Sequence, residues 1–457
     1  MPFSAGIFRK MMWVISMTCA FTSGASAKEN AEQKSRNVHP FPESDRHTAA
    51  AHKPPAIIYE IGLELWGAAG ARSLVTTPVN PTNQVAQIPQ KQLTTEARPD
   101  FKFTMKKAKI TVRPRGILTM NRTEAGGSTL NKTTGKLRWS EAFGSLQIAD
   151  PISITYGLQN FQWGPAEAAS PSNRIFRDTI EAKDVLYVTR GKHLFRMNIT
   201  PSQGWSEVLL VELTSNGSSE YEAQEKFARK AILKSEISWA GGADYLGVIA
   251  GWRNKSGVYA GEYFNADVLD GLSVYTDIAH QRGSLAYYPD SSSGLTLLTQ
   301  TKKTDQRIYT FATTGARYAF ENGNDWRVEY IFHEQGYNKT QVISVWNALA
   351  SNVPQQQQFF ALNASLAFQN GLEFPGKHYL FSSIRFPNAF SVKDWTIYLR
   401  DLYSLQDGSN SAFLSSEIAI GQRGTFFGSV SASAGKLESE LRGLIAYSGV
   451  LGYRHAW

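Results

Sequence analysis

The chain closes on LIAYSGVLGYRHAW, residues 444–457, and the rest of the sequence is best understood from this stretch outward. At a period of two, Ile445, Tyr447, Gly449, Leu451, Tyr453, His455 and Trp457 share one face, and Leu444, Ala446, Ser448, Val450, Gly452, Arg454 and Ala456 the other. One face is bulky and aromatic; the other is small or charged. A soluble strand would bury its bulky face on a core, whereas a terminal strand with aromatic residues along its whole length suits a bulky face set against lipid.

The same alternation recurs upstream. Tyr59, Ile61, Leu63 and Leu65 oppose Glu60, Gly62, Glu64 and Trp66; Ile152, Ile154, Tyr156 and Leu158 oppose Ser153, Thr155, Gly157 and Gln159; Trp326, Val328, Tyr330 and Phe332 oppose Arg327, Glu329, Ile331 and His333; and Trp395, Ile397 and Leu399 oppose Thr396, Tyr398 and Arg400. One face of each segment is the wetter. The chain ending resembles the C-terminal strand of Gram-negative outer-membrane β-barrels, which alternate apolar residues and finish on an aromatic; His455 departs from that pattern. The resemblance implies that Tyr453 and Trp457 form the assembly signal met by the barrel-assembly machinery.

Connection lengths test the barrel independently, because outer-membrane barrels alternate short periplasmic turns with long outer loops. Counting back from a periplasmic C-terminus, short connections fall at Arg113–Arg115, Ala149–Pro151, Pro201–Gly204, Ala240–Ala243, Val268–Asp270, Glu321–Asn324, Pro387–Lys393 and Gly421–Gly424. Between them lie Gly67–Arg98, Thr123–Gly135, Phe161–Lys183, Ser215–Lys226, Arg253–Ser256, Leu285–Arg307, Gly336–Lys377, Leu405–Asn410 and Ala434–Arg442. The fold class is therefore an all-β, closed antiparallel transmembrane barrel of about 18 strands, with about 16 and 20 as the alternatives. Two segments leave the count open: Asp184–Thr200 reads as one bulged strand although Gly191-Lys192 would also make a hairpin turn, and Gln357–Asn370, assigned to a loop, alternates enough for a strand. The competing fold is a soluble all-β secreted protein, and no fixed-length internal repeat supports a solenoid.

The N-terminus fits export. Arg9-Lys10 precedes an apolar run from Met11 to Phe21, and Ala25-Ser26-Ala27 offers a cleavage site before Lys28. Residues 1–27 read as a signal peptide, 28–56 as a flexible periplasmic segment rich in Pro and charge, and 57–457 as the barrel. Cleavage removes Arg9, Lys10 and Cys19, leaving 45 basic and 39 acidic residues and no cysteine. A disulfide-stapled fold is excluded for such a mature chain. No later apolar run is long enough to cross a bilayer as a helix, so a membrane-embedded chain must cross as strands.

Cations on the wetter faces point to the lumen, since a cation turned to lipid at the bilayer midplane costs about 2–4 kcal/mol. Lys102, Lys106, Lys109, Arg138, Arg196, Arg317, Arg327 and Arg400 are the candidate pore lining, with a bulge expected near Lys106. Together they predict an anion-leaning field. The competing role for each is at the membrane interface, bonding lipopolysaccharide phosphates.

The loop FQWGPAEAASPSNRIFRDTIEAK, residues 161–183, sets Trp163, Glu167, Arg174, Arg177 and Asp178 among Gly and Pro turns, and mixed charges of this kind suit a constriction. Its strand-then-Trp-Gly pattern, with Pro and Asn following, resembles the alginate-export and related large specific-porin families. The resemblance implies a loop folded into the barrel. Within Gly336–Lys377, residues 342–349 suit a short amphipathic helix that packs on its own loop.

Enzyme signatures are missing. Ser215-Asn216-Gly217 matches part of the outer-membrane phospholipase motif, but Leu213 stands where that family needs its His. There is no His-Glu-x-x-His pair or phosphate-binding Gly loop, and neither a metal nor a cofactor is expected. The leading function is a passive channel for small hydrophilic, anion-leaning solutes, monomeric or homotrimeric, in contact with outer-membrane lipid and lipopolysaccharide and with no nucleic-acid partner. The alternative is a closed or narrow barrel that binds surface polysaccharide or serves a structural role.

Overall fold

The computed structural model describes residues 57–77, 80–84, 86–176, 188–189, 191–214, 227–254, 257–284, 286–291, 296–300, 305–351 and 374–457. The expected signal peptide and N-terminal segment, Arg177, Asp178 and the Gln357–Asn370 segment lie outside them. In chain order the strands are β1 (Ile57–Leu74), β2 (Lys91–Met105), β3 (Ala108–Ala125), β4 (Ser128–Ala149), β5 (Ile152–Gln159), β6 (Lys192–Ser202), β7 (Trp205–Thr214), β8 (Lys230–Trp239), β9 (Asp244–Arg253), β10 (Gly257–Leu269), β11 (Leu272–Arg282), β12 (Tyr287–Asp290), β13 (Leu297–Gln300), β14 (Ile308–Ala319), β15 (Asp325–His333), β16 (His378–Phe386), β17 (Trp395–Ser404), β18 (Asn410–Ile420), β19 (Gly424–Ala434) and β20 (Ile445–Ala456).

All but β12 and β13 form one 18-stranded antiparallel sheet. It closes on itself: Glu64 of β1 lies opposite Ala456 and Ala71 opposite Gly449 of β20. Closure satisfies the ladder of every strand and leaves no edge, which an apolar surround demands. β12 and β13 pair separately in the loop after β11, near a short helix, α1 (Lys339–Ala350).

Period-two alternation sorts the wall. Leu137 and Leu451 point outward, 74% and 73% exposed. Trp205, Trp239, Trp326, Trp395 and Trp457 ring the end that carries the short turns, and the indoles of Trp326 and Trp395 donate to Ser382 Oγ at 3.1 Å and Ser416 Oγ at 2.7 Å. An apolar outer face with an aromatic girdle is the surface of a barrel in the outer membrane.

The connections differ from the sequence reading at three places. The first short turn is at Lys106-Lys107, and Arg113–Arg115 runs through the middle of β3. Pro114 caused the misplacement: it lacks a ladder N–H, and the structure accommodates it at a register shift between Arg113 and Pro114, with Ser140 Oγ donating to the Arg113 carbonyl at 2.9 Å. Thr123–Gly135 is not a long loop but a two-residue turn, Gly126 (φ 58°) and Gly127 (φ 80°), between strands that project beyond their neighbours. Similarly, β1 and β2 run into the expected Gly67–Arg98 loop and shorten it to 75–90.

Candidate functional site

The connection after β5 enters the barrel. Trp163, Ile175 and Phe176 pack against Leu194, Val208, Leu210, Ile232, Ile249, Tyr259 and Tyr263 on the inner faces of β6 to β10. That stretch of wall is apolar, and the loop removes it from water. Gly247 and Gly251 let the Tyr263 and Tyr259 rings lie flat on the sheet; a Cβ at either glycine would fall 2.1 Å from a ring carbon. Within the loop, Trp163 Nε1 donates to Ser172 Oγ at 3.1 Å and Ser170 Oγ lies 3.0 Å from the Trp163 carbonyl.

Two buried wall carboxylates hold the loop by its backbone. Asp277 of β11 accepts from Ser172 N at 2.7 Å and from Ser170 Oγ at 2.5 Å. Glu329 of β15 accepts from Glu167 N at 2.6 Å, Ala168 N at 2.8 Å and the Tyr275 hydroxyl at 2.7 Å. The Glu167 side chain continues to β16 and β17, accepting from Ser383 Oγ and Arg400 Nε at 3.0 Å each, with Arg327 Nε at 3.5 Å. Arg327 also donates to the Pro165 carbonyl at 3.2 Å. Ala168 and Ala169 sink among Phe311, Ile331, Phe374, Tyr379, Phe381, Leu402 and Leu441. The described part of the loop thus reaches from β5 to β17.

Beyond the loop, the remaining arc of wall runs from β17 through the β20–β1 seam to β5. Arg98, Arg115 and Arg138 stand on successive strands β2, β3 and β4, with Arg115 directly opposite Arg138. Directly opposed like charges repel; Glu96 offsets this, meeting Arg98 Nε at 2.9 Å and accepting from Arg115 Nε. Arg113 bridges Asp100 at 3.2 Å and Glu141. Arg196 reaches Thr155 Oγ1 at 3.4 Å and lies 4.6 Å from the Phe161 ring centroid. Arg454 meets Glu417 at 3.5 Å, and it and Arg98 flank the Trp66 ring at 5.2 and 3.8 Å. Between the two arginine groups, the inner faces of β18, β19 and β20 present Ser411, Ser415, Ser429, Ser431 and Ser448.

The sequence candidates separate. Arg327 and Arg400 meet at Glu167, joining the lining and constriction sets. Arg138 and Arg196 share the β3–β6 wall, while Arg317 pairs with Asp325 at 3.1 Å. Lys102 sits on the lumenal face between Glu60 at 3.3 Å and Asp100 at 3.4 Å, and Lys109 follows opposite Thr104. Lys106 is in the β2–β3 turn, at the end of the wall rather than on its lumenal face. Arg174 lies 5.9 Å from the Phe311 ring centroid. Arg98, Arg113, Arg115, Asp277 and Glu329 were missed; alternation from Lys102 back through Asp100 and Arg98 to Glu96 would have found the first, had β2 not been started too late. Among the described residues there is no group of three or more His, Cys, Asp or Glu able to hold a metal.

No family model matches the chain, and no curated protein matches it. Solved structures do. OccK2 (OpdF) of Pseudomonas aeruginosa superposes with a TM-score of 0.50 at 10% identity, over 87% of this chain and 98% of its own. The fold is that of an outer-membrane porin. OccAB1 of Acinetobacter baumannii matches at 0.49 and 10% identity, over 88% of this chain and 97% of its own. Wzi of Escherichia coli, described as a carbohydrate-binding β-barrel involved in group 1 capsule assembly, matches at 0.48 and 11% identity, over 86% and 83%. At 10% identity the likeness to OccK2 speaks for the fold alone.

Proposed function

We propose that the chain is a passive outer-membrane channel for small hydrophilic solutes that favours anions. The observation that carries this reading is the guanidinium-rich arc from Arg454 through Arg98, Arg115 and Arg138 to Arg196, facing the side of the lumen away from the loop's anchors. A carboxylate or phosphate entering such a path exchanges part of its hydration for paired N–H donors, which guanidinium presents in a planar fork. Carboxylates distributed among the arginines keep each contact weak enough to be released, and a solute moves by passing between neighbouring sites. The serine faces of β18 to β20 offer hydroxyl partners to the rest of a hydrophilic solute. No covalent step is required.

On this reading the loop sets the aperture and Glu167 its charge, while Lys102 and Lys109 contribute at the periplasmic mouth. Tyr453 and Trp457 serve assembly, and the outer wall meets lipid and lipopolysaccharide.

Single-channel recording of the refolded protein, with reversal potential under a salt gradient, tests the proposal. Discrete conductance steps with an anion-selective potential are expected. The double variant Arg138→Gln/Arg196→Gln should move the potential toward zero, because it removes two lumenal cations while leaving Glu96 with both of its arginines. Electrical silence from a heat-modifiable, hence folded, protein would overturn the channel reading.

A further inference from the structure

We propose that the outer face of β10, β11 and β14 is a docking surface for a second copy of this chain in the plane of the membrane. On this part of the wall an acid and a base stand side by side where lipid is the only other neighbour. Glu262 points outward from β10, five positions from its outer end and seven from its inner end, with its side chain 51% exposed. His280 of β11 brings Nε2 to 3.9 Å from Glu262 Oε1, beyond hydrogen-bond length, and its Nδ1 lies 3.1 Å from Thr310 Oγ1 of β14. Thr276 and Thr314 add a hydroxyl pair at 3.0 Å on the same face.

Other outward acids are differently placed. Glu207 lies near the inner rim and accepts from Trp205 and Ser235, Asp401 accepts from the Asn410 amide, and Glu124 pairs with Arg122 on the projecting hairpin. Among the described residues Glu262 has no hydrogen-bond donor, and acyl chains supply none.

The patch carries its own complement. Under a two-fold axis along the membrane normal, the acid of one copy comes opposite the base of the other, so both carboxylates gain an imidazole partner in one isologous contact. This charge complementarity selects a second copy over a lipid or an unrelated protein. Around the pair the outward face mixes small residues, Ala260, Ala312 and Ala316, with the apolar Phe264 and Ile278, so a second copy meets an apolar surround on both walls.

The test uses single cysteines in a Cys19→Ser background, treated in native outer membranes with a short bis-maleimide. Thr314→Cys should give a band at twice the chain mass, and Leu399→Cys, on the outer face of β17, should not. In parallel, protein extracted in mild detergent should have the mass of two chains, and Ala312→Trp, checked for heat-modifiability, should return it to one. A single-chain mass for the unmodified protein, with no more cross-linking at Thr314→Cys than at Leu399→Cys, would overturn the proposal. So would cross-linking of Thr314→Cys to a protein of a different mass.

Discussion

The carboxylate of Glu329 and the main chain of Glu167, 162 positions apart in sequence, meet at 2.6 Å, where the wall takes hold of the inward loop. Glu329→Ala removes the acceptor for the Glu167 and Ala168 amides and for Tyr275, and deprives Arg327 of a neighbouring carboxylate at 3.7 Å. Loss of one partner from a buried ion pair costs about 3–5 kcal/mol, more than one loop is expected to withstand. Single-channel conductance should rise and fluctuate while the barrel stays heat-modifiable. Unaltered conductance would mean that the remaining anchors, Asp277, the Arg327–Pro165 contact and the Glu167 side chain among them, secure the loop without Glu329.

Glu167→Gln separates anchorage from charge. The backbone hydrogen bonds to Glu329 persist, but Arg327 and Arg400 lose the carboxylate between them. Reversal potential should shift further toward anions with little change in conductance. No shift would remove Glu167 from the solute path.

Neutralising Lys102, Lys106 and Lys109 together should lower anion preference less than Arg138→Gln/Arg196→Gln. Lys102 already faces Glu60 and Asp100, and Lys106 is in a turn. Reversal potentials of the two variants, measured in the same salt gradient, make the comparison.

Gly247→Ala puts a methyl group 2.1 Å from Cζ of Tyr263. Overpacking of this kind costs typically 1–3 kcal/mol. The heat-modifiability midpoint should fall, and the same exchange made in a Tyr263→Ala background, where the ring is gone, should lower it much less. An unchanged midpoint would show that the ring has room to move.

Glu440, in the outer connection between β19 and β20, accepts from the Tyr379 hydroxyl, while its own N–H donates to Asp407 Oδ2 at 2.7 Å. Burial, reinforced by the nearby Asp407 carboxylate, pushes its carboxyl up to about 8 against the pull of Tyr379. The folded connection therefore holds a proton that the unfolded one releases: stabilisation is complete below about 4.5 and is lost as pH rises through about 8. Proteolysis of residues 435–444 should accelerate over that range, and Glu440→Gln should flatten the dependence.

Deletion of Trp457 removes the N–H that donates to the Leu63 carbonyl at 3.0 Å across the seam, together with a ring 4.2 Å from His455. Outer-membrane levels of folded protein should fall. Normal levels would take Trp457 out of the assembly signal.

The lipid and lumen faces were legible because every strand that closes a barrel must alternate. The terminal strand, the 18-strand count and the faces of β1, β15 and β17 follow from that rule. Turn chemistry misled where it lay inside strands: Pro114 resembles a turn but occupies a register shift, whereas Lys106-Lys107 turns the chain without Gly or Pro. The Gly-Gly hairpin at 126–127 was obscured because its strands extend past the membrane and are polar on both faces. At the site, charge type and face could be read, but not partnership. Nothing local to Asp277 or Glu329 indicates that a segment more than 100 positions earlier brings its amides to them.

Those two carboxylates recognise amide protons, which every residue except proline supplies. At position 167 that amide hydrogen bond is indifferent to the side chain, whereas Ala168 and Ser172 are fixed by full burial. Exchanges at position 167 can retune the charge and width of the passage while the scaffold keeps hold of the loop, so solute preference can diverge without redesign of the barrel.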